Sequence, residues 1–207
     1  MVPPASVSVV PNGVDTEYYL PGDSSLAEPA RLAFVGGMNW FPNKDAVQWF
    51  DEEIIVRTSE LMPSTVLDVI GRHDGDMKLR HPDQIIMHGF VKDLREYLMR
   101  AAVVIVPIRV GGGTRLKVLE AMSMGKAMVS TTVGVEGIRA EHDKHLLIAD
   151  TPEQFAQAVF RLQTDGALRD RLGRAARSLV TEHYQWDVIG QKLLDAYDTM
   201  PGVVKHA

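Results

Sequence analysis

The sequence contains no cysteine, which excludes a disulfide framework, a thiolate nucleophile and a cysteine-ligated zinc. It also lacks an uninterrupted apolar stretch of about 18 residues, the length that a membrane-spanning helix needs. The first residues, MVPPASVSVVPNGV, have neither the basic start nor the long apolar segment of a signal peptide. We therefore expect a cytoplasmic protein whose stability comes from its core alone.

The chain also has fewer positive than negative side chains, with 22 Lys and Arg and 27 Asp and Glu, which gives a formal net charge of −5. No overall positive field draws the chain to nucleic acid or to acidic lipid, so neither is an expected partner, and any phosphate site must be local. Apolar residues make up 45% and charged residues 24% of the 207 residues. These values are typical of a soluble globular protein with one or two domains.

Six short apolar runs of the kind that form buried parallel strands follow one another along the chain. They are RLAFVGG (residues 31–37), TVLDVIG (65–71), IIMHG (85–89), AAVVIVPI (101–108), KAMVST (126–131) and HLLIA (145–149). Helical spacing is present between them, at 44–60, 92–100 and 115–124, and beyond them near 152–164, 167–183 and 186–199. The alternation predicts an α/β fold, a Rossmann-like open parallel sheet of about six strands with helices on both faces and additional C-terminal helices.

Composition divides the chain into three segments. Residues 1–30 are rich in Pro, Gly, Ser and acidic side chains, and a short β-like run at 7–10 stops at Pro11-Asn12-Gly13. We interpret them as a linker and edge segment rather than as core. Residues 31–183 are the predicted Rossmann-like domain, and residues 184–207 are a C-terminal helix and tail.

The segment after the fourth predicted strand, RVGGGTRLKVLE at 109–120, carries the most chemistry. An open parallel sheet binds its ligand beyond the carboxyl ends of its strands. The glycines at 111–113 let the backbone turn sharply and expose N–H groups, and the helix that follows adds the positive end of its dipole. Because Arg109, Arg115 and Lys117 stand beside these amides, the segment predicts a site for a diphosphate. It matches neither the Walker pattern nor GxGxxG.

Glu120 lies within the apolar helix LKVLEAMSM, where an unpartnered buried carboxylate would cost several kcal/mol. It must therefore face the crevice, where a ribose diol would satisfy it, or hold a hydrogen bond. A plainer interpretation is an ion pair with Lys117 three residues earlier, worth about 0.2–0.5 kcal/mol. From the spacing alone both interpretations stay open.

The first crevice loop contains Gly36 and Gly37, followed by Asn39, Trp40, Asn43 and Asp45. The glycines allow a phosphate or a sugar to approach the backbone. For Asn43 and Asp45 we prefer a local role as the N-cap of the next helix, with Trp40 and Trp49 as packing anchors.

Other catalytic classes have little support. The seven histidines include no ligand pair on a helix, so no metal is expected, and His88 is interpreted as structural rather than as pocket lining. No G-x-S-x-G elbow is present, and Ser123 and Ser130 have no visible base. The arginine-rich stretch 169–177 is interpreted as a solvated helix face.

Several of these segments, taken together, resemble a known family. They are VVPNGVDTEYY, LAFVGGMNW, VLDVIG, HGFVKDLREYLMRAAVVIVP, GGGTRLKVLEAMSMGKAMVSTTVGVEGI and LLIADTPEQFAQAV. In this order they resemble the C-terminal, donor-nucleotide-binding half of retaining GT-B glycosyltransferases of family 4 (glycosyl transferases group 1). The resemblance implies two Rossmann-like domains with the active site between them. PNGVDTEYY resembles the interdomain linker, so the N-terminal, acceptor-binding domain is expected to be missing.

The resemblance also implies residue roles. Glu120 corresponds to the second glutamate of the EX7E motif, which holds the donor ribose, and Phe90 with Val91 to the loop that meets the nucleobase. Gly36 and Gly37 correspond to the glycine loop near the phosphates. The backbone that cradles the diphosphate corresponds to Gly113, Thr114, Arg115 and Leu116, with Gly112 beside it.

Two positions depart from the family pattern. Gly112 stands eight residues before Glu120, where the first glutamate of the motif is expected, and Gly37 stands where a basic residue is usual. The GGGTRLK form resembles a subgroup in which Arg115 and Lys117 supply the positive charge, and these two are the predicted catalytic residues. Lys44 is a further candidate.

Three functions are weighed. The first is the donor-binding domain of a hexosyltransferase that uses a UDP- or GDP-type sugar without a cofactor or metal, and that is inactive in isolation. It would meet a membrane only through the missing domain or a lipid-linked acceptor, at the inner face. The second is a sugar-nucleotide epimerase domain, for which Glu120 and Glu136 are among the few available carboxylates. The third is a non-catalytic flavodoxin-like binding module, which would place acidic residues where Gly36 and Gly37 stand.

Overall fold

A computed structural model describes residues 7–73, 75 and 77–198 of the chain. Their parallel sheet contains β1 (Glu28–Val35), β2 (Val66–Ile70), β3 (Ile85–Gly89), β4 (Ala101–Val106), β5 (Met128–Ser130) and β6 (Leu147–Ile148). The strand order is β3-β2-β1-β4-β5-β6, which confirms the predicted Rossmann-like α/β class. The order reverses between β1 and β4, so the loops after these two strands border the crevice where such sheets bind ligands.

Helices cover this sheet. They are α1 (Phe41–Trp49), α2 (Ile55–Leu61), α3 (Arg95–Arg100), α4 (Leu116–Ser123), α5 (Pro152–Thr164), α6 (Gly166–His183) and α7 (Trp186–Asp198). A π-helical turn, Phe50–Ile54, joins α1 to α2. Every residue of the apolar β4 is buried, as expected for a central parallel strand that is covered on both faces. Helix α5 packs against β4 and α2, and α4 packs against α6.

The elements follow the sequence pattern, but several of their bounds differ: the predicted helix at 44–60 is divided into α1 and α2, and α3 begins at Arg95 rather than at residue 92. Strand β1 begins at Glu28, three residues before the predicted start, because Glu28 still pairs with Ala101 of β4. Strands β5 and β6 are shorter than their apolar runs, because the ladder that joins them covers only two residue pairs. Residues 7–10 form no strand, and Val7 and Val9 are exposed. Residues 1–6 of the predicted linker and 199–207 of the predicted helix and tail lie outside the described residues.

Part of the predicted linker, residues 13–20, is packed onto the domain and is called the N-terminal strap below. Val14 is buried in the core, its N–H donates to the Tyr184 carbonyl at 2.8 Å, and it pairs with Gln185, the residue before α7. Thr16 is also buried. The interpretation of residues 1–30 as lying outside the core is therefore wrong for these strap residues, because the apolar side chain of Val14 finds a place beside the C-terminal helices.

A short turn shapes the strap, since Asp15 Oδ1 accepts the N–H groups of Glu17 and Tyr18 at 3.0 and 2.8 Å. We expect Asp15→Ala to lower the free energy of unfolding by about 1 kcal/mol, because the same geometry at a helix N-cap has this value. Asp15→Asn keeps the acceptor and should stay close to the parent chain. Chemical denaturation of the three proteins measures this, and equal stability of all three would contradict it.

A buried ion pair joins the three strands on one side of the sheet. Asp68 of β2 is 1% exposed at its side chain and accepts Nη1 of Arg31 with both carboxylate oxygens, at 2.9 and 2.7 Å. Nε2 of His88, on β3, lies 2.7 Å from Oδ1 of Asp68. His88 is therefore held as part of the sheet, in agreement with its predicted structural role.

Candidate functional site

Three of the predicted crevice segments meet at the switch point of the sheet. The loop after β4 touches the start of α1, because a Cβ on Gly111 would lie 3.2 Å from Cγ of Pro42. The loop after β5 reaches the same place, since a Cβ on Gly137 would lie 3.4 Å from Oγ1 of Thr114. The loops after β1, β4 and β5 thus share one edge of the sheet, the edge at which parallel sheets bind ligands.

Arg115 occupies the N-cap position of α4 and is buried, with only 4% of its surface exposed. Its Nη1 donates to the carbonyl of Gly112 at 2.7 Å, and its Cζ lies 5.6 Å from the centroid of the Trp40 ring. Its Nε and Nη2 are buried without any hydrogen-bond partner among the described residues. Two unpaired N–H-bearing atoms of a buried cation carry a large desolvation cost, which an anion would remove.

The backbone around Arg115 is arranged for the same kind of ligand. Gly111 and Gly113 have φ values of +98° and +87°, which only glycine adopts readily, and the loop they form lies over the guanidinium. From 112 to 117 the main-chain N–H groups have no acceptor within the described part of the chain, and they lie at the positive end of α4. A diphosphate at this place would accept from both the amides and the guanidinium.

Lys117 points back from the first turn of α4 toward the loop after β1. Its Nζ donates to Oδ1 of Asn43 at 2.6 Å and lies 4.3 Å from the centroid of the Phe34 ring. This approach requires glycine at position 36, since a Cβ there would lie 2.7 Å from Nζ and 2.6 Å from Cγ of Asn43. Burial, with the nearby charge of Arg115, lowers the pKa of Lys117 to about 7, although Glu120 opposes the shift.

Two of the local predictions for the first loop are wrong. Helix α1 begins at Phe41 with Trp40 at its N-cap, and the Trp40 side chain makes no capping hydrogen bond. Asn43 instead donates from Nδ2 to the Gly37 carbonyl at 3.0 Å, so it links the glycine loop to Lys117. Asp45 accepts Arg109 with both oxygens, at 2.6 and 3.1 Å. Arg109, which the sequence places beside the phosphate site, is therefore already paired.

The two tryptophans of this region differ in role. Trp49 is buried and meets the Phe155 ring edge to face, with centroids 6.0 Å apart, which confirms it as a packing anchor. Trp40 is 47% exposed and covers Arg115 instead of packing into the core. The main-chain N–H of Lys44 donates to the Trp40 carbonyl at 3.2 Å, but its side chain makes no hydrogen bond or ion pair with any described residue.

Glu120 is not paired with Lys117 in a salt bridge. Its Oε1 accepts the hydroxyl of Tyr19, in the N-terminal strap, at 3.2 Å. Burial raises the pKa of Glu120, while the Tyr19 hydrogen bond and the charge of Lys117 lower it. Sequence reasoning missed Tyr19 as a site residue because it treated the strap as a linker. The sequence did contain one signal: two adjacent aromatic residues, Tyr18 and Tyr19, at the end of the turn that begins at Asp15.

The remaining predicted site residues lie farther apart. Phe90 and Val91 follow β3, which is separated from β4 by β2 and β1. Phe90 is 73% exposed, with Cζ of Arg72 5.3 Å from its ring centroid, and Val91 packs partly against the core. Leu116, at the start of α4, is exposed. The structure thus brings the phosphate and ribose candidates together and leaves the nucleobase candidates at the sheet edge.

Two further observations concern the rest of the described residues. The stretch 169–177 is not only a solvated face, because Arg177 donates to the carbonyls of Ser123 and Thr16 at 2.7 and 3.0 Å. Within the part of the chain that the structure describes, no three His, Cys, Asp or Glu side chains group as metal ligands, and no helix is long and apolar enough to cross a bilayer.

A comparison with protein families shows to which family the chain belongs. Residues 29–165 match the family model described as glycosyl transferases group 1. The chain belongs to this family. The match covers the strands and the start of α4 that form the candidate site, and it favours the glycosyltransferase class over the epimerase and the flavodoxin-like module.

Individual relatives agree with the family. The chain is 29% identical to the D-inositol 3-phosphate glycosyltransferase of Kribbella flavida, over 95% of this chain and 51% of that protein. Among solved structures, HepE of Anabaena in complex with UDP-glucose superimposes with a TM-score of 0.75 at 14% identity, over 93% of this chain and 57% of that one. The C-terminal domain of a glycosyl transferase group 1 protein, LpcC of Francisella tularensis, gives 0.67 at 22% identity, over 84% of this chain and 100% of that one. The chain therefore spans about half the length of the curated relative that it matches.

Proposed function

We propose that this chain is the donor-binding half of a retaining glycosyltransferase that transfers a hexosyl group from a UDP- or GDP-linked sugar to an acceptor. The family membership and the solved structure of a relative with UDP-glucose support the donor class. The structural similarity to the isolated C-terminal domain of LpcC supports the assignment of this chain to the C-terminal half of such an enzyme.

One observation carries the proposal: the two buried and unpartnered nitrogens of Arg115 lie at the N-terminus of α4, beside unpaired main-chain amides. A cation in this state fits an anion that enters from the crevice. Lys117 adds a second positive charge two residues further along the chain, in the first turn of α4, and Gly36 and Gly37 keep the opposite wall free of side chains near it. The diphosphate of a sugar nucleotide matches this geometry.

The same groups have a role in the reaction. Transfer forms a bond between an acceptor hydroxyl oxygen and the anomeric carbon, and the proton of that hydroxyl passes to the leaving diphosphate or to solvent. The bond between the anomeric carbon and the diphosphate oxygen breaks, and its electron pair stays on that oxygen, which becomes negative. Arg115, Lys117 and the amides at the start of α4 are preorganised donors for this charge, so they stabilise the transition state more than the ground state. Glu120 would hold the ribose, and Phe90 with Val91 would meet the base.

The rest of the enzyme is part of the proposal. Gly112 stands at the position of the first glutamate of the motif, so no carboxylate is present there. A Cβ at Gly112 would meet no described atom within 4 Å. Other residues must therefore contact the transferred sugar. An N-terminal acceptor-binding domain would complete the cleft, and without it we expect donor binding but no transfer. We place the full enzyme in the cytoplasm, in contact with a membrane only through that domain or a lipid-linked acceptor, with no metal or cofactor.

The proposal predicts binding that depends on the diphosphate. We expect calorimetric titration of the 207-residue chain to give a Kd between millimolar and micromolar for UDP or GDP, equivalent to about 4–8 kcal/mol. The matching nucleoside, which lacks both phosphates, should bind at least about tenfold more weakly, because it leaves Arg115 unpaired. Equal affinity for nucleoside and nucleoside diphosphate would contradict the proposal.

A further inference from the structure

We infer that Tyr19 is a positioning residue, which holds the Glu120 carboxylate in the orientation that accepts both hydroxyls of a nucleotide ribose. The inference rests on the proposed function and extends the donor site to the N-terminal strap. The Tyr19 hydroxyl donates to Oε1 of Glu120 at 3.2 Å. Among the described residues this is the one hydrogen bond that the Glu120 carboxylate makes, and Oε2 is left for a ligand.

The position of Tyr19 is itself fixed by the helices behind the site. Its carbonyl accepts Oγ of Ser123 at 2.8 Å and Nη1 of Arg177 at 3.1 Å. Ser123 ends the helix that carries Glu120, and Arg177 also holds the Thr16 carbonyl at 3.0 Å. The main chain of Tyr19 is therefore tied to α4 and α6, so its hydroxyl has a defined place relative to Glu120.

A ribose diol binds best to a carboxylate whose orientation is fixed before binding. The diol donates two hydrogen bonds, so it needs an ionised carboxylate whose two oxygens lie in the plane of the diol. Burial raises the pKa of Glu120, and the hydrogen bond from Tyr19 is one of the two effects that oppose this rise. Burial and the charge of Glu120 together raise the pKa of Tyr19 above its usual range, so its hydroxyl keeps the proton that it donates. Tyr19 thus restricts the rotation of the Glu120 side chain and favours its ionised form.

The test compares a nucleotide with and without its diol. Titrate the chain with UDP or GDP, whichever binds more tightly, and with the 2′,3′-dideoxy form of that nucleotide. For Tyr19→Phe we expect the Kd of the normal nucleotide to rise about fivefold, the net effect of losing one ordinary hydrogen bond. The Kd of the dideoxy nucleotide should change by less than about twofold, since no diol is present to need the carboxylate.

Two other variants make the outcome decisive. Tyr18→Phe is the matched control, because the Tyr18 ring stacks on Arg95 with Cζ 4.0 Å from its centroid while its hydroxyl has no hydrogen bond among the described residues. It should leave both affinities unchanged. In a Glu120→Ala background, Tyr19→Phe should have no further effect on either ligand.

The possible failures are distinguishable. An equal loss for both nucleotides in Tyr19→Phe would show a packing role and would overturn the inference while leaving the proposed function intact. No change for either nucleotide would overturn it as well. If the parent chain binds neither UDP nor GDP, the proposed function fails, and the role of Tyr19 fails with it.

Discussion

Replacing Arg115 with alanine should weaken the binding of UDP or GDP by about 10- to 100-fold, because the chain loses hydrogen bonds between a buried guanidinium and a phosphate. The size of this effect follows from the burial of Arg115, 4% exposed, and from its unpartnered Nε and Nη2. In such a place a charged hydrogen bond is not weakened by competition with water, as it is at the surface.

Arg174→Ala is the matched control for this substitution. It removes the same charge from an exposed position on α6, so the affinity should change by less than about twofold. Calorimetric titration of both variants measures the difference, and their melting temperatures establish that both are folded. If folded Arg115→Ala binds the nucleotide as well as the parent chain does, Arg115 is not a ligand of the diphosphate.

The affinity for a sugar nucleotide should fall as the pH rises above about 7, because of Lys117. Its pKa in the free chain is lowered to about 7 by burial and by Arg115. A bound diphosphate is an opposite charge nearby and raises that pKa, so above pH 7 binding requires the uptake of a proton. The Kd then increases by as much as about tenfold per pH unit until the pKa of the complex is reached, and by up to about 100-fold between pH 7 and 9.

A UDP- or GDP-linked sugar is the right ligand for this measurement, because its phosphates do not titrate between pH 6 and 9. Lys117→Met removes the titrating group, so its affinity should be lower at pH 6 and independent of pH up to 8. In calorimetry the parent chain should take up a proton on binding at pH 8, which buffers of different ionisation enthalpy reveal. A parent profile as flat as that of Lys117→Met would contradict the role of Lys117.

The fold was largely predictable from local pattern. Runs such as AAVVIV produce buried parallel strands because both faces of the sheet are covered, and the 3.6-residue spacing of apolar side chains marks the helices between them. The pattern could not reveal that β1 starts at Glu28, since that start depends on pairing with Ala101, a contact more than 70 positions away.

The proposed phosphate site could also be predicted from the sequence, because glycines followed by basic residues at the start of a helix favour the binding of an anion. The sequence could not show which hydrogen-bond or ion-pair partner each side chain has. The position of Asn43 after Pro42 predicts an N-cap, but Asn43 accepts a hydrogen bond from Lys117, and Arg109 stands beside the glycine segment in sequence but pairs with Asp45. Tyr19 lies 101 positions before Glu120, so only the folded chain shows their contact.

The most direct test of the central claim is a map of backbone amide chemical shifts during titration with UDP or GDP. If the start of α4 binds the diphosphate, the largest changes fall on residues 112–118, with smaller ones at Gly36 and Gly37. A second cavity, of about 410 Å³, could bind the nucleotide instead. It lies near the amino ends of β4 and β5, and its lining includes Met99, Lys126 and Arg174. Changes centred on that cavity, with residues 112–118 unaffected, would contradict the proposed site.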